Sequence, residues 1–134
     1  MKQSVEHVPV DRRGLVLVTE DEPIVRRFVA KFLDGLGYDA IEADHAAAAL
    51  IILEERSDLD LLITDVGMPG EMNGVDLAFT VRSRWPGLPI IIVSGEFDGE
   101  LSRLPTGVSF LRKPYRPAAL GKLIDQHLPH YQDA

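Results

Sequence analysis

Five polar residues stand directly after short aliphatic runs, at the places where buried strands would end. Glu20 and Asp21 follow LVLVT, and Asp65 follows LLIT. Ser94 comes after IIIV, and Lys113 comes after VSFLR. A charged group at such a place gives up apolar packing, which indicates a role other than building the core.

These side chains have the chemistry of a metal-assisted phosphoryl-transfer site. Three carboxylates brought close together repel one another, and a hard divalent cation such as Mg²⁺ relieves that repulsion. Lys113 would direct an ammonium group at an anion, and the Ser94 hydroxyl would donate to one of the anion's oxygens. Asp65 stands alone after its run. It is therefore the candidate nucleophile, able to form an aspartyl phosphate.

Alternating strand and helix patterns predict the frame that would bring these residues together. The predicted strands are residues 15–19, 38–43, 60–64, 88–94 and 108–112, and the predicted helices are 23–36, 45–56, 74–85 and a last one from Pro117. In the first helix, the predicted packed stripe is Val25, Phe28, Val29, Phe32, Leu33 and Leu36. This alternation predicts an α/β fold, a doubly wound five-stranded parallel sheet with helices on both faces. Such sheets bind ligands beyond the carboxyl ends of their strands, so the five polar side chains would share one rim.

Length and composition limit the classes of protein. The 134 residues, 46% apolar, suffice for one ordinary domain, expected over residues 14–130 after a flexible arm at 1–13. No apolar run approaches the roughly 18 residues of a membrane span, and the N-terminal segment lacks the apolar stretch of an export signal. A net charge of −7 argues against nucleic acid as a partner, and the absence of cysteine suits a reducing compartment. We therefore expect a cytoplasmic protein that binds neither nucleic acid nor membrane.

Four motifs, in this order and spacing, resemble the receiver domain (CheY-like) of two-component response regulators. They are LVLVTEDE, LLITDVGMPG with Asn73 and Gly74 after it, IIIVSG, and FLRKPY. The resemblance runs from Leu15 to Leu128, and the four motifs together are far more specific than any one of them. It implies the flavodoxin-like strand order 2-1-3-4-5.

The resemblance also implies a metal site and a phosphate acceptor. Asp65 corresponds to the acceptor aspartate, and Glu20 and Asp21 correspond to the family's acidic pair, with Asp21 the more direct Mg²⁺ ligand. The backbone carbonyl of Gly67 would supply a further oxygen. Mn²⁺ is the expected substitute for Mg²⁺.

Further residues match the family's switch positions. Ser94 corresponds to the hydroxyl residue that turns toward the phosphoryl group, and Lys113 corresponds to the lysine that precedes a proline, Pro114, across a peptide bond expected to be cis. Phe110 lies at the aromatic position that changes rotamer on activation, although it has no hydroxyl. In the family, a sensor histidine kinase or a histidine phosphotransfer protein donates the phosphoryl group, and the receiver catalyses the transfer and its later hydrolysis. The expected product is a switch in binding to a downstream protein, with no output domain after Leu128.

The chain departs from the family pattern in three places. The first acid is Glu20, where aspartate is commoner, so its carboxylate sits on a longer arm. The loop between Pro69 and Gly74 is one residue longer than the commonest form. The segment between Ser94 and Phe110 is shorter than usual and contains Pro105, so we expect the helix there to be short or absent.

Two other functions compete with phosphorylation. One is a degenerate receiver that acts only as a protein-binding module, which the retained acids, hydroxyl and lysine argue against. The other is a Mg²⁺-dependent phosphatase acting on external substrates. Such enzymes usually need a second acid two residues after the nucleophile, and here that position is Gly67.

Overall fold

The computed structural model describes residues 12–95 and 104–128. Within them, strands and helices follow one another in the predicted order. The strands are β1 (Gly14–Thr19), β2 (Tyr38–Ala43), β3 (Leu61–Asp65), β4 (Ile90–Ser94) and β5 (Val108–Arg112). The helices are α1 (Pro23–Leu36), α2 (Ala46–Glu55), α3 (Gly74–Arg84) and α4 (Pro117–His127).

The five strands form one parallel sheet in the order β2-β1-β3-β4-β5, which confirms the predicted fold. Strand order reverses beside β1, because the chain crosses from β2 over β1 to β3. Ligands of doubly wound sheets bind outside the carboxyl ends of the strands at such a reversal. The carboxyl ends of β1 and β3 are therefore the first place to look for a site.

The helices cover both faces of the sheet, and each face has its own apolar cluster. One cluster joins α2 and α3 to side chains such as Leu17 and Leu62. The other joins α1 and α4 to side chains such as Val16 and Ile63. Because successive strand residues point to opposite faces, these central strands are apolar on both sides.

Helix α1 follows its predicted bounds but not its whole predicted stripe. Proline at its first position and Gly37, whose φ of 99° ends it in the left-handed region, are the expected boundary residues. Val29 and Leu33 are buried, whereas Phe28 is 53% exposed. The prediction for Phe28 is wrong because this residue lies about 100° around the helix axis from Val29, beyond the edge of the packed face.

Some predictions concern residues outside the described ranges. Residues 1–11 of the expected arm lie outside them, and the domain bounds stay a prediction. The last two arm residues are in contact with the domain: the Arg12 guanidinium donates to the Tyr38 carbonyl at 2.7 Å, and the Arg13 N–H donates to the Gly37 carbonyl at 2.7 Å. The segment expected to hold a short or absent helix falls largely on residues 96–103, which also lie outside. None of the helices in the described part of the chain is long and apolar enough to span a membrane.

Candidate functional site

The predicted acids meet at the carboxyl ends of β1 and β3. The two strands run side by side in register, with Thr19 opposite Thr64, so the residues that follow each threonine emerge at one edge. One carboxylate oxygen from each of Glu20, Asp21 and Asp65 lies within 4.8 Å of the other two. The sheet thus brings Asp65 into one cluster with Glu20 and Asp21, from which it is distant in sequence.

The ammonium group of Lys113 faces this cluster. Lys113 follows β5, and its Nζ lies 3.2 Å from Glu20 Oε1 and 3.6 Å from Asp65 Oδ1. The longer glutamate arm lets Glu20 share the lysine with Asp65. Both carboxylate oxygens of Glu20 are engaged, since Oε2 accepts from the Glu22 backbone N–H at 3.1 Å.

The backbone at the end of β3 fixes the Asp65 side chain. Its Oδ1 accepts from the Val66 N–H at 2.9 Å, and the Val66 carbonyl accepts from the Gly74 N–H at 2.9 Å. Gly74 begins α3 and touches the strand end so closely that a Cβ there would lie 1.9 Å from the Asp65 carbonyl oxygen. Asn73 caps α3 through bonds to the N–H groups of Val75 and Asp76, both at 2.9 Å. Both ends of the β3–α3 turn are therefore held close to Asp65.

Ser94 and Lys113 are connected through the backbone. Ser94 ends β4 and is 4% exposed, and its carbonyl accepts from the Lys113 N–H at 2.8 Å. The peptide bond between Lys113 and Pro114 is cis. The hydrogen bond from the Lys113 N–H to the Ser94 carbonyl keeps the start of the segment after β5 beside the end of β4.

The remaining predicted residues are Gly67 and Phe110. Gly67 is exposed in the turn after β3. Phe110 lies in the middle of β5 opposite Ile92, partly buried against the cluster shared with α2 and α3. Its predicted rotamer change stays a prediction.

Comparison with known proteins identifies the family. The family model of the response regulator receiver domain matches residues 16–125. The chain belongs to this receiver family. It is 37% identical over 116 residues to the chemotaxis protein CheY1 of Helicobacter pylori, covering 82% of this chain and 93% of CheY1.

Two solved structures support the same assignment. The receiver domain from the hybrid histidine kinase CckA is 38% identical, with a TM-score of 0.74 over 86% of this chain and 99% of that one. The response regulator TrrA of Thermotoga maritima, solved in complex with Mg²⁺ and BeF, is 25% identical, with a TM-score of 0.77 over 86% of this chain and 99% of that one. The predicted resemblance to receiver domains is confirmed.

Electrostatics in this receiver site follow from burial and crowding. Burial raises the pKa of Glu20, and the nearby Asp65 charge raises it further, against the Glu22 N–H and Lys113, which lower it. Burial also raises the pKa of Asp65, with Asp21 adding to the rise and Lys113 and the Val66 N–H opposing it. Burial lowers the pKa of Lys113, but attraction to Asp65 and Glu20 outweighs it, so that pKa lies above its ordinary value. The receiver therefore holds carboxylates that resist ionisation beside an ammonium that resists deprotonation.

Two neighbours of the receiver site were not predicted from the sequence. Tyr115 lines a small cavity of about 20 Å³ together with Glu20, Asp65 and Lys113, and burial raises the pKa of its phenol. Its place two residues after Lys113 was the available signal. Arg26 donates from Nη1 to the Glu20 backbone carbonyl at 2.8 Å. A basic residue on the polar side of α1 gave no sign of this contact.

Proposed function

We propose that this receiver domain accepts a phosphoryl group on Asp65 from a phosphohistidine and so switches its binding to another protein. One observation carries the proposal: the Asp65 carboxylate shares a single site with two more carboxylates and lies 3.6 Å from the Lys113 ammonium. That combination provides a nucleophile, oxygen ligands for a cation and a positive charge for the incoming anion.

The donor set fits a hard divalent cation. Three carboxylate oxygens within 4.8 Å of one another suit Mg²⁺. Burial, and then the neighbouring carboxylates, raise the pKa of Glu20 and Asp65, and a bound cation would oppose that rise. Asp21, Asp65 and Glu20 would hold the ion, with the Gly67 carbonyl as a further oxygen, and Mn²⁺ would substitute. When bound, the ion would neutralise charge on the phosphoryl oxygens. The TrrA relative solved with Mg²⁺ and BeF supports this assignment.

The transfer can be written atom by atom from the hydrogen bonds of Asp65. Within the described residues, the Val66 N–H and the Lys113 ammonium both contact Oδ1 of this carboxylate, so we assign Oδ2 as the attacking oxygen. An oxygen–phosphorus bond forms as the phosphorus–nitrogen bond of the phosphohistidine breaks, and the leaving imidazole keeps the bonding electron pair and takes a proton from solvent. Lys113 and Ser94 would contact the other phosphoryl oxygens. Later attack of water on phosphorus would return the Asp65 carboxylate and free phosphate.

The donor and the recipient of the signal are inferred from the family. Receiver domains interact with histidine kinases or phosphotransfer proteins, and either would bring the phosphohistidine to Asp65. We expect the downstream protein to bind the phosphorylated and the unphosphorylated domain with different affinity. A cytoplasmic location follows from such partners and stays a prediction.

Acetyl phosphate with Mg²⁺, followed by intact mass measurement, tests the proposal. We expect a gain of one phosphoryl group in the wild type, none in Asp65→Asn, and none when a chelator removes the metal. Asp58→Asn is the matched control, because Asp58 is an exposed aspartate paired with Arg56 and should leave the labelling intact. A wild type that stays unlabelled while a known receiver is labelled would contradict phosphorylation and favour the degenerate binding module.

A further inference from the structure

We propose that Arg26 is a positioning residue that sets the divalent-cation affinity of the acid cluster. This inference rests on the metal site proposed above. Arg26 lies in the first turn of α1, and its side chain is 18% exposed. Its guanidinium connects the turn that carries Glu20 and Asp21 to the end of β2.

The backbone of Glu20 is held on both of its polar groups. Its N–H donates to the Ala43 carbonyl at 3.0 Å, and its carbonyl accepts from Arg26 Nη1 at 2.8 Å. The Glu20 carbonyl belongs to the same planar peptide unit as the Asp21 nitrogen. By fixing that plane, Arg26 fixes the direction in which the chain leaves Glu20 toward Asp21, and with it the spacing of the two carboxylates.

Glu42 anchors the guanidinium that makes this contact. Arg26 Nε lies 2.9 Å from Glu42 Oε1, and Glu42 stands near the carboxyl end of β2, opposite Val18 of β1. Because the guanidinium is planar, one bond to the carboxylate and one to the carbonyl orient it fully. Arg26 therefore bridges an edge strand and the acid-bearing turn.

Arg27 offers a matched comparison. Its Nε lies 3.2 Å from Glu42 Oε2, so it pairs with the same carboxylate. Within the described chain, Arg27 forms an ion pair with Glu42 alone, and the Arg27 side chain is 66% exposed. Loss of Arg27 thus removes a positive charge and a Glu42 contact but leaves the Glu20 carbonyl bonded.

The two explanations, positioning by Arg26 and the charge of Arg26, predict opposite changes in metal affinity when Arg26 is replaced. By Coulomb's law alone, removing a cation near a divalent-ion site strengthens metal binding, and added salt screens the effect. If Arg26 acts by holding the turn, its loss must weaken binding instead. The direction of the change therefore separates the two explanations.

Isothermal titration calorimetry with Mg²⁺ on the full chain provides the test. We expect Arg26→Gln to weaken Mg²⁺ affinity roughly tenfold, the scale usual for residues that orient metal ligands. Arg27→Gln should change it by less than about twofold, as an exposed ion pair would. Arg26→Lys, which keeps the charge but cannot bond both acceptors, should fall between them and serves if Arg26→Gln does not fold.

Each other outcome overturns the inference. Unchanged or tighter binding by Arg26→Gln would mean that the contact does not position the acids. Equal weakening by Arg27→Gln would mean that the contact with Glu42, which both arginines make, is what matters, and not the Arg26 bond to the Glu20 carbonyl. A wild type that binds no Mg²⁺ would defeat the proposed metal site itself, whereas equal binding by wild type and Arg26→Gln would defeat only the role of Arg26. Unfolding temperatures of the metal-free variants, measured alongside, show whether a lost affinity merely reflects lost folding.

Discussion

Charged side chains have different partners at the two ends of the sheet. At the carboxyl end, the carboxylates of Glu20, Asp21 and Asp65 lie close together, and the Lys113 ammonium contacts those of Glu20 and Asp65. At the amino end, charged side chains form hydrogen bonds with backbone carbonyl and N–H groups. The Arg82 guanidinium donates to the carbonyls of the connections that lead into β4 and β5: Pro86 and Leu88 at 2.8 Å, Thr106 at 2.9 Å and Gly107 at 3.4 Å.

Arg12 and Asp60 repeat the amino-end pattern. The Arg12 guanidinium lies 2.8 Å from the Asp34 carboxylate and donates to the Tyr38 carbonyl, while Asp60 accepts from the Leu15 N–H at 2.9 Å. Charges that find opposite charges or peptide groups support folding, whereas like charges held together shift pKa values and mark functional sites. We therefore expect the amino end to stabilise the fold and the crowded acids of the carboxyl end to cost some stability.

The largest effect should come from Gly74, where the carboxyl end depends on close packing. Gly74→Ala would place a Cβ 1.9 Å from the Asp65 carbonyl oxygen, so α3 must move away from β3. We expect a loss of about 3 kcal/mol or more in the free energy of unfolding, measured in urea. Gly67→Ala is the control in the same turn, because its Cβ would meet nothing within 4 Å. Equal losses in the two variants would show that the contact is not the cause.

Arg82 should give the next largest effect, confined to stability. Arg82→Met keeps much of the side chain but leaves the backbone carbonyls of two connections without their donor, at a cost of about 2 kcal/mol. Mg²⁺ affinity and labelling by acetyl phosphate should not change. Arg84→Met is the matched control, since Arg84 pairs with Glu54 at 2.9 Å and stacks on Trp85 without serving the backbone in this way. A drop in Mg²⁺ affinity in Arg82→Met would mean that the two ends are not independent.

Most of the fold could be predicted because its signal is periodic and local. Runs buried on both faces, such as residues 61–63 of β3, are apolar throughout. Three helices begin or end at a recognisable residue, such as Pro23 and Gly37 of α1. Strand bounds moved by a residue or two because hydrogen bonding, not hydropathy, decides them, and Asp65 proved to be the last residue of β3. Phe28 was misplaced because the width of a packed face depends on the neighbouring elements.

The sequence predicted which residues form the site but not the contacts between them. Parallel topology brings the carboxyl ends of strands together, so a list of polar residues at those ends contained Asp21, Asp65 and Lys113. Lys113 lies closer to Glu20, at 3.2 Å, than to Asp65, at 3.6 Å. This difference depends on the length and direction of the side chains, which cannot be inferred from the spacing of residues in the sequence. The Arg26 contact to a backbone carbonyl depends on a turn whose shape exists only in the folded chain.

The smallest predicted effect tests whether the carboxyl end really costs stability. Asp65 and Glu20 have pKa values raised from ordinary values of 3.8 and 4.5, mainly by burial, so between the ordinary and the raised values the folded state binds more protons than the unfolded chain. The contribution of Asp65 and Glu20 to metal-free stability should therefore be greatest below the ordinary values and fall as pH rises through the raised ones. Asp65→Asn removes one charge from the cluster, so it should raise the metal-free unfolding temperature at neutral pH by roughly 4 °C and flatten this slope.

Asp58→Asn, which removes an exposed aspartate whose pKa is lowered by Arg56, should not stabilise the fold. Added Mg²⁺ should stabilise the wild type far more than Asp65→Asn, because only the wild type has the full set of carboxylates to compensate. If Asp65→Asn is no more stable than the wild type without metal, the crowded acids carry no folding cost and the contrast between the two ends of the sheet is wrong.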